Sequence, residues 1–273
     1  MAARSYLYVP GDRPDRLDKA LAKAGDAVIA DLEDAVPLAR KELALETVTG
    51  WLDALSPGGP EVWVRIGAGA RARRELAAVG RSPRLTGVIL AKADLTTVAE
   101  ADSILPPGLP VGALLETAGA LLELPALARH PRVRQLGLGE ADLAAELGIA
   151  AGELSVLGPI RAQVVIASAA AAITAPTGPV FLDVRDLDGL RQSTEALKRA
   201  GFGARSAIHP DQVAVIEDVF TPTAEEVATA RATVTTWDAA DAGVALDERG
   251  RMIDEAVVRL ARRVVQTADR LGL

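Results

Sequence analysis

Short runs of β-branched and aliphatic residues alternate with amphipathic, helix-period stretches, and the alternation repeats eight times along the chain. The strand-like runs are Ser5–Pro10, Ala27–Asp34, Glu61–Gly67, Gly87–Ala93, Pro110–Thr117, Val133–Asp142, Gly178–Val184 and Gly203–Pro210. Each precedes a stretch whose apolar residues recur at helical spacing. Helices are predicted over Pro14–Ala24, Leu38–Leu55, an arginine-rich segment ending at Gly80, Thr96–Leu105 and a leucine-rich segment to about His130. A short helix, a long one over Ser155–Thr174, and two more over Asp186–Ala200 and Asp211–Phe220 complete the series. Pro14 suits a helix's first turn, where no N–H is needed. The SPGGP at Ser56–Pro60 and the PPG at Pro106–Gly108 are stop signals.

Strand–helix units in series predict a parallel sheet with helical crossovers, and eight is the number that closes a (β/α)8, or TIM, barrel. An open doubly wound sheet shares the alternation. No GxGxxG follows the first strand, however, so a dinucleotide-binding version lacks its main support. From Thr221 onward two further helices are predicted, Ala224–Ala240 and Ile253–Leu271, joined by the loop AGVALDERGRM. We therefore expect an α/β barrel over residues 1–220 and a C-terminal helical extension over 221–273, without a composition shift that would make the extension a separate domain.

Composition narrows the class. At 49% hydrophobic but only 3% aromatic residues, the core must be aliphatic and alanine-rich. Lys and Arg total 30 against 37 acids, for a net charge of −7 with no basic block, which argues against a nucleic-acid partner. Cysteine is absent and the two histidines are far apart, which excludes thiolate catalysis and cysteine- or histidine-rich metal centres. The opening MAARSYLYVP has too short an apolar run for a signal peptide. Val164–Pro176, the longest apolar stretch, falls short of the roughly 20 residues of a membrane span and reads as a buried helix. A cytoplasmic protein with no membrane partner is expected.

Charge placement carries the chemistry. AVIADLEDAVP runs from an apolar strand straight into Asp31, Glu33 and Asp34, with Asp31 and Glu33 on one face and Asp34 on the other. The late positions of the other strands hold Arg65, Lys92, Glu116, Asp142, Asp183 with Asp186, and His209. Barrel active sites lie at these C-terminal strand ends. So many carboxylates in one mouth call for a divalent cation, and oxygen-only ligands point to Mg²⁺ or Mn²⁺. Glu116 and Asp142, on neighbouring strands with apolar lead-ins, are the best ligand pair; salt bridges to Arg65 or Lys92 are the alternative. Arg65 interrupts VWVRIG and is suited to hold a carboxylate or phosphate bidentately, or to brace Glu33. Lys92 could instead act as a Schiff-base nucleophile. His209, before a proline, reads as a turn residue.

These segments resemble a known family. YVPGDRPDRLDKA, DLEDAV, VRIG, LLETAGAL, GEADL, SAIHPDQVAVI and GRMID stand in the order and spacing of the citrate lyase β-subunit-like CoA ester lyases of the HpcH/HpaI aldolase superfamily, relatives of malyl- and citramalyl-CoA lyases. The resemblance runs from Ser5 to about Ala261. It implies a TIM barrel that uses Mg²⁺ to cleave or form a C–C bond between a 2-oxo acid and an acyl-CoA. Glu116 and Asp142 would be metal ligands, Arg65 the substrate-binding arginine, and Arg13, Arg16 and Lys19 CoA contacts. The GRMID segment resembles a lid whose aspartate, here Asp254, enters a neighbouring subunit's site, which implies a homo-oligomer, a trimer or hexamer. Glu33 and Asp34 would then stand behind the ligands, holding metal-bound waters or Arg65, and Asp31 would be structural. The chain departs from the family pattern at Gly67 (usually Asn), Ala91 (usually Pro), Ala141 (usually an acid) and in the polar phrase before MID.

Overall fold

A computed structural model describes residues 3–23, 25–240 and 244–273. Ala24, predicted as the last residue of the first helix, and Ala242 and Gly243 of the joining loop lie outside the described residues. The chain divides into two compact units, Met1–Glu217 and Asp218–Leu273.

The first unit is a closed barrel of eight parallel strands in sequence order, with the first strand pairing with the last. Its strands are β1 (Ser5–Pro10), β2 (Ala27–Asp31), β3 (Glu61–Ile66), β4 (Gly87–Leu90), β5 (Val111–Leu115), β6 (Val133–Leu138), β7 (Thr177–Gly178) and β8 (Ala204–Ala207). Helices α1 (Pro14–Lys23), α2 (Lys41–Ala54), α3 (Ala72–Val79), α4 (Leu95–Ile104) and α5 (Ala118–Arg129) follow the first five strands. Two helices, α6 (Glu140–Leu147) and α7 (Leu154–Ala170), follow β6; α8 (Leu187–Arg199) follows β7 and α9 (Pro210–Phe220) follows β8. The predicted TIM barrel is the observed fold.

Alternation along the strands layers the interior. Tyr6, Ile29, Trp63, Ile89, Leu114 and Ala204 form one buried cluster, with Tyr6 and Trp63 edge to face at 6.1 Å. Two residues further along, the same faces present Tyr8, Asp31, Arg65, Glu116 and Ser206, all lining the mouth. Trp63 fits because Gly87 faces it: a Cβ at Gly87 would lie 2.4 Å from the indole Cζ3 and 2.7 Å from the carbonyl oxygen of Pro110.

Several predicted strands run too long. Those expected to reach Asp34, Ala93, Thr117, Asp142, Val184 and Pro210 stop earlier, because the acids and turn residues at their ends have left the ladder. Asp142 changes element: it sits in the first turn of α6, where acids favour the helix's positive end. The stretch Val164–Pro176 is not a buried helix, since α7 ends at Ala170 and Ile166 is 65% exposed.

The second unit contains α10 (Ala224–Asp238), a two-stranded hairpin of β9 (Ala245–Leu246) and β10 (Met252–Ile253), and α11 (Glu255–Leu271). Thr223 and Glu226 close a capping box on α10. Arg231–Asp269 and Arg262–Asp238 ion pairs, at 2.9 and 3.0 Å, link α10 with α11. Among the described residues no helix is long and apolar enough to cross a membrane.

Gly87→Ala should lower stability by about 1–3 kcal/mol through overpacking against Trp63. Chemical denaturation reads the shift, and an unchanged midpoint would show that the indole has room to move.

Candidate active site

The mouth of the barrel holds a cavity of about 540 Å³. Its geometry starts from Asp31 at the end of β2, which is fully buried. Arg65, across the pair in register with Asp31, grips it with Nε at 2.7 Å and Nη2 at 2.6 Å. Both carboxylate oxygens also accept backbone N–H groups, from Glu33 at 2.8 Å and Ala35 at 3.0 Å, so Asp31 shapes the turn that carries the other acids. Arg65 Nη1 lies 3.2 Å from Glu33 Oε2, and the guanidinium stacks 4.9 Å above the Tyr8 ring. Burial alone would lower the Arg65 pKa, but the hydrogen bond and charge of Asp31 outweigh it and raise it. With five N–H donors, Arg65 keeps capacity on its terminal nitrogens for a further acceptor.

Glu33 stands between two cations. Lys92 Nζ lies 3.0 Å from Glu33 Oε1, 3.9 Å from Asp34 and 4.0 Å from Glu116 Oε1. Burial pushes Glu33 up, but Arg65 and the hydrogen bonds from Asp34 and Lys92 bring it below its ordinary value. Asp34, by contrast, is raised by burial and by its neighbour Glu33. Lys92 is raised: its acidic neighbours, Glu33 first, outweigh burial.

Glu116 is the most perturbed acid of the group. Its side chain is only 1% exposed, and burial pushes it up to about 7, partly offset by the Lys92 N–H and ammonium. The Lys92 backbone N–H reaches Oε1 at 2.5 Å from a left-handed conformation (φ 49°). Gly139 makes room on the other side: a Cβ there would fall 2.7 Å from Glu116 Oε2. Asp142 lines the same cavity from α6, and its charge adds to the upward push on Glu116.

Two carboxylates converging on one cavity, one of them buried and short of counter-charge, fit a hard divalent cation. Among the described residues no three Asp, Glu, His or Cys side chains come together as a complete metal cage. Mg²⁺ commonly uses one or two carboxylates, with water and substrate filling its other positions.

The remaining predicted residues lie elsewhere. Arg13 pairs with Asp15 at 3.2 Å just before and within the start of α1, and Arg16 and Lys19 project from that helix as exposed side chains. None of these three lines the mouth cavity. Asp254, in the second unit, caps α11 by accepting the Val257 N–H at 2.9 Å. Asp186 caps α8, Asp183 accepts the Arg185 N–H, and His209 Nδ1 accepts the Asp211 N–H in the turn before α9.

With this geometry established, the chain can be set beside known proteins. The model of the HpcH/HpaI aldolase/citrate lyase family matches residues 4–75 and 106–210. This chain belongs to that family. It is 32% identical over 277 residues to a citrate lyase subunit beta-like protein of Mycobacterium tuberculosis, covering 98% of this chain and 96% of that one. It is 29% identical over 280 residues to a (3S)-malyl-CoA thioesterase of Cereibacter sphaeroides, covering 98% and 95%. The crystal structure of CitE from M. tuberculosis in complex with magnesium, acetoacetate and coenzyme A superposes with a TM-score of 0.83 at 30% identity, covering 98% of both chains. As a member of the HpcH/HpaI aldolase/citrate lyase family, the chain is an enzyme.

Sequence reasoning missed four contributors to the cavity. Tyr8 underlies Arg65, and its phenol is raised by burial. Gly139 gives Glu116 its space. Glu140 and Arg161 form a bidentate pair at 2.6 and 2.8 Å. Period-2 alternation could have placed Tyr8; nothing local announces the Glu140–Arg161 pair.

Glu116 sets a pH dependence. Its folded-state pKa stands above the ordinary 4.5, so its contribution to stability is full below about 4.5 and is lost as pH rises through about 7. Glu116→Gln keeps the acceptor for the Lys92 N–H. Without metal, it should match the wild type at pH 4 and be about 2–4 kcal/mol more stable at pH 8. Denaturation at the two pH values checks this, and equal stabilities at pH 8 would refute it.

Proposed function

We propose that this protein is a Mg²⁺-dependent CoA-ester lyase that cleaves, or forms, a 3-hydroxyacyl-CoA such as malyl-, citramalyl- or citryl-CoA. The products of cleavage are a 2-oxo acid and an acyl-CoA. The observation that carries this reading is the meeting of buried Glu116, half-buried Arg65 and exposed Asp142 in one barrel mouth of a chain from this family. Glu116 and Asp142 are the proposed metal ligands, and Mg²⁺ bound there supplies Lewis-acid polarisation of the reacting oxygens.

The chain's own groups do the rest. Arg65, anchored by Asp31, offers its remaining N–H donors to the substrate carboxylate and to charge developing on the reacting oxygens. Glu33 and Asp34 hold the water and cation network around the ligands, with Lys92 as their counter-charge. In cleavage the hydroxyl loses its proton and becomes the carbonyl of the 2-oxo acid. The C–C bond electrons pass to the thioester as an enolate, whose carbon then takes a proton. Asp254 of a neighbouring subunit is the proposed group for that proton transfer, on the strength of the GRMID resemblance, and this requires a homo-oligomer. Arg13, Arg16 and Lys19 are proposed to meet the CoA phosphates, and the cytoplasm is the proposed compartment.

A second reading is hydrolysis of the thioester, supported by the C. sphaeroides relative named as a thioesterase. Incubation with Mg²⁺ and malyl-, citramalyl- and citryl-CoA separates the two. A lyase releases a 2-oxo acid and leaves an acyl-CoA; a thioesterase releases free CoA thiol and the intact hydroxy acid. Glu116→Ala should cut Mg²⁺-dependent turnover by on the order of 10²–10³-fold with the circular dichroism spectrum unchanged. Full activity in that variant would remove Glu116 from the metal site.

A further inference from the structure

A second buried arginine has a different kind of environment. Arg205 lies on β8 one residue out of phase with Ala204 and Ser206, so its side chain leaves the barrel interior and runs towards α8. It is 3% exposed, yet it lines the mouth cavity together with Phe181 and Ser193. Its hydrogen bonds all go to neutral acceptors. Nε donates to the Pro179 carbonyl at 2.9 Å, and Nη1 donates to Ser193 Oγ and Thr194 Oγ1 at 2.7 Å each and to the Leu190 carbonyl at 3.4 Å. Among the described residues no carboxylate lies within ion-pair distance of this guanidinium, whereas Arg65 grips Asp31 with two nitrogens.

Arg161 lines the same cavity. Its Nε and Nη2 are committed to Glu140, and neither its Nη1 nor Arg205 Nη2 makes a hydrogen bond among the described residues. Arg205, Arg161 and Glu140 together carry one net positive charge on this side of the cavity. An isolated buried charge is costly, and one monoanion cancels it. A phosphate dianion would overshoot. Burial, with the charge of Arg161 adding to it and that of Glu140 opposing it, holds the Arg205 pKa down to about 10. That is the direction expected of a buried cation with no carboxylate beside it, its aromatic partner being the Phe181 ring 5.5 Å away.

We infer that Arg205 and Arg161 form a carboxylate-binding subsite on the α8 side of the mouth cavity, distinct from the Arg65–Glu116 group. The occupant is a small carboxylate, either a free acid or a second carboxylate carried by the substrate. The subsite stands on geometry alone, so it holds or fails independently of the lyase reading.

The test uses the full chain in EDTA, with acetate as the probe and inorganic phosphate and chloride as comparisons at constant ionic strength. Calorimetric titration should show saturable acetate binding that is tighter than phosphate binding. Ser193→Asp places a carboxylate beside Arg205 Nη1 without removing any arginine. It should weaken acetate binding at least tenfold and raise the melting temperature of the ligand-free protein. Arg205→Lys, which keeps the charge but loses the planar fork, should weaken acetate binding by less than Ser193→Asp does. Wild-type protein that does not bind acetate saturably overturns the proposal. So does Ser193→Asp binding it undiminished, because acetate would then be held at the Arg65 end. The two sources separate with hydroxyacyl-CoA substrates that do or do not carry an extra carboxylate. If Ser193→Asp raises KM only for those that carry it, the substrate is the source; if KM is unchanged while acetate binding is lost, the ligand is a free acid.

Discussion

The mouth of this barrel depends on the grip between Arg65 and Asp31. A carboxylate with no solvent exposure is tolerable only with a counter-ion and hydrogen bonds to spare, and Asp31 has both. The pair fixes more than itself. Through the Glu33 and Ala35 N–H groups it folds the turn after β2, and through Arg65 it sets where Glu33 and the Tyr8 ring can lie. Glu33 in turn holds Lys92, whose backbone N–H is aimed at Glu116. A chain of charge-assisted contacts thus runs from the second strand to the acid proposed to hold the metal.

Glu116 shows how backbone and side chains divide this work. The charged partners around it are mostly occupied with one another, so its poise comes from burial and from one peptide N–H presented by a residue in a conformation that L-amino acids seldom adopt. Gly139 contributes by lacking a side chain. These features hold the carboxyl above its ordinary pKa at the lining of the cavity.

Much of the fold could be read from the sequence, because eight strand–helix units in series leave few other topologies and inward positions obey a period of two. Ser5–Pro10 matches the observed β1 end to end. The ends of elements were harder. GEADL reads as a strand's continuation, yet its acids suit a helix's first turn, and so Asp142 arrives at the cavity from α6. Glu116, Asp142 and Arg65 could be singled out as charges interrupting apolar runs. Arg205 could not: it faces away from the barrel axis, and only the three-dimensional packing of α8 shows that its partners are all neutral.

One further property follows from the brevity of β7. Elsewhere the barrel wall is laced by several successive register pairs, but here closure rests on Gly137↔Thr177 on one side and on Thr177↔Ala204 and Gly178↔Arg205 on the other. A buried side-chain bond from Gln135 to Thr177 reinforces this seam from inside. A wall with so little ladder opens at a lower free energy than its neighbours, so the staves beside Arg205 are where the barrel breathes first, and amide exchange should be fastest there among the eight strands.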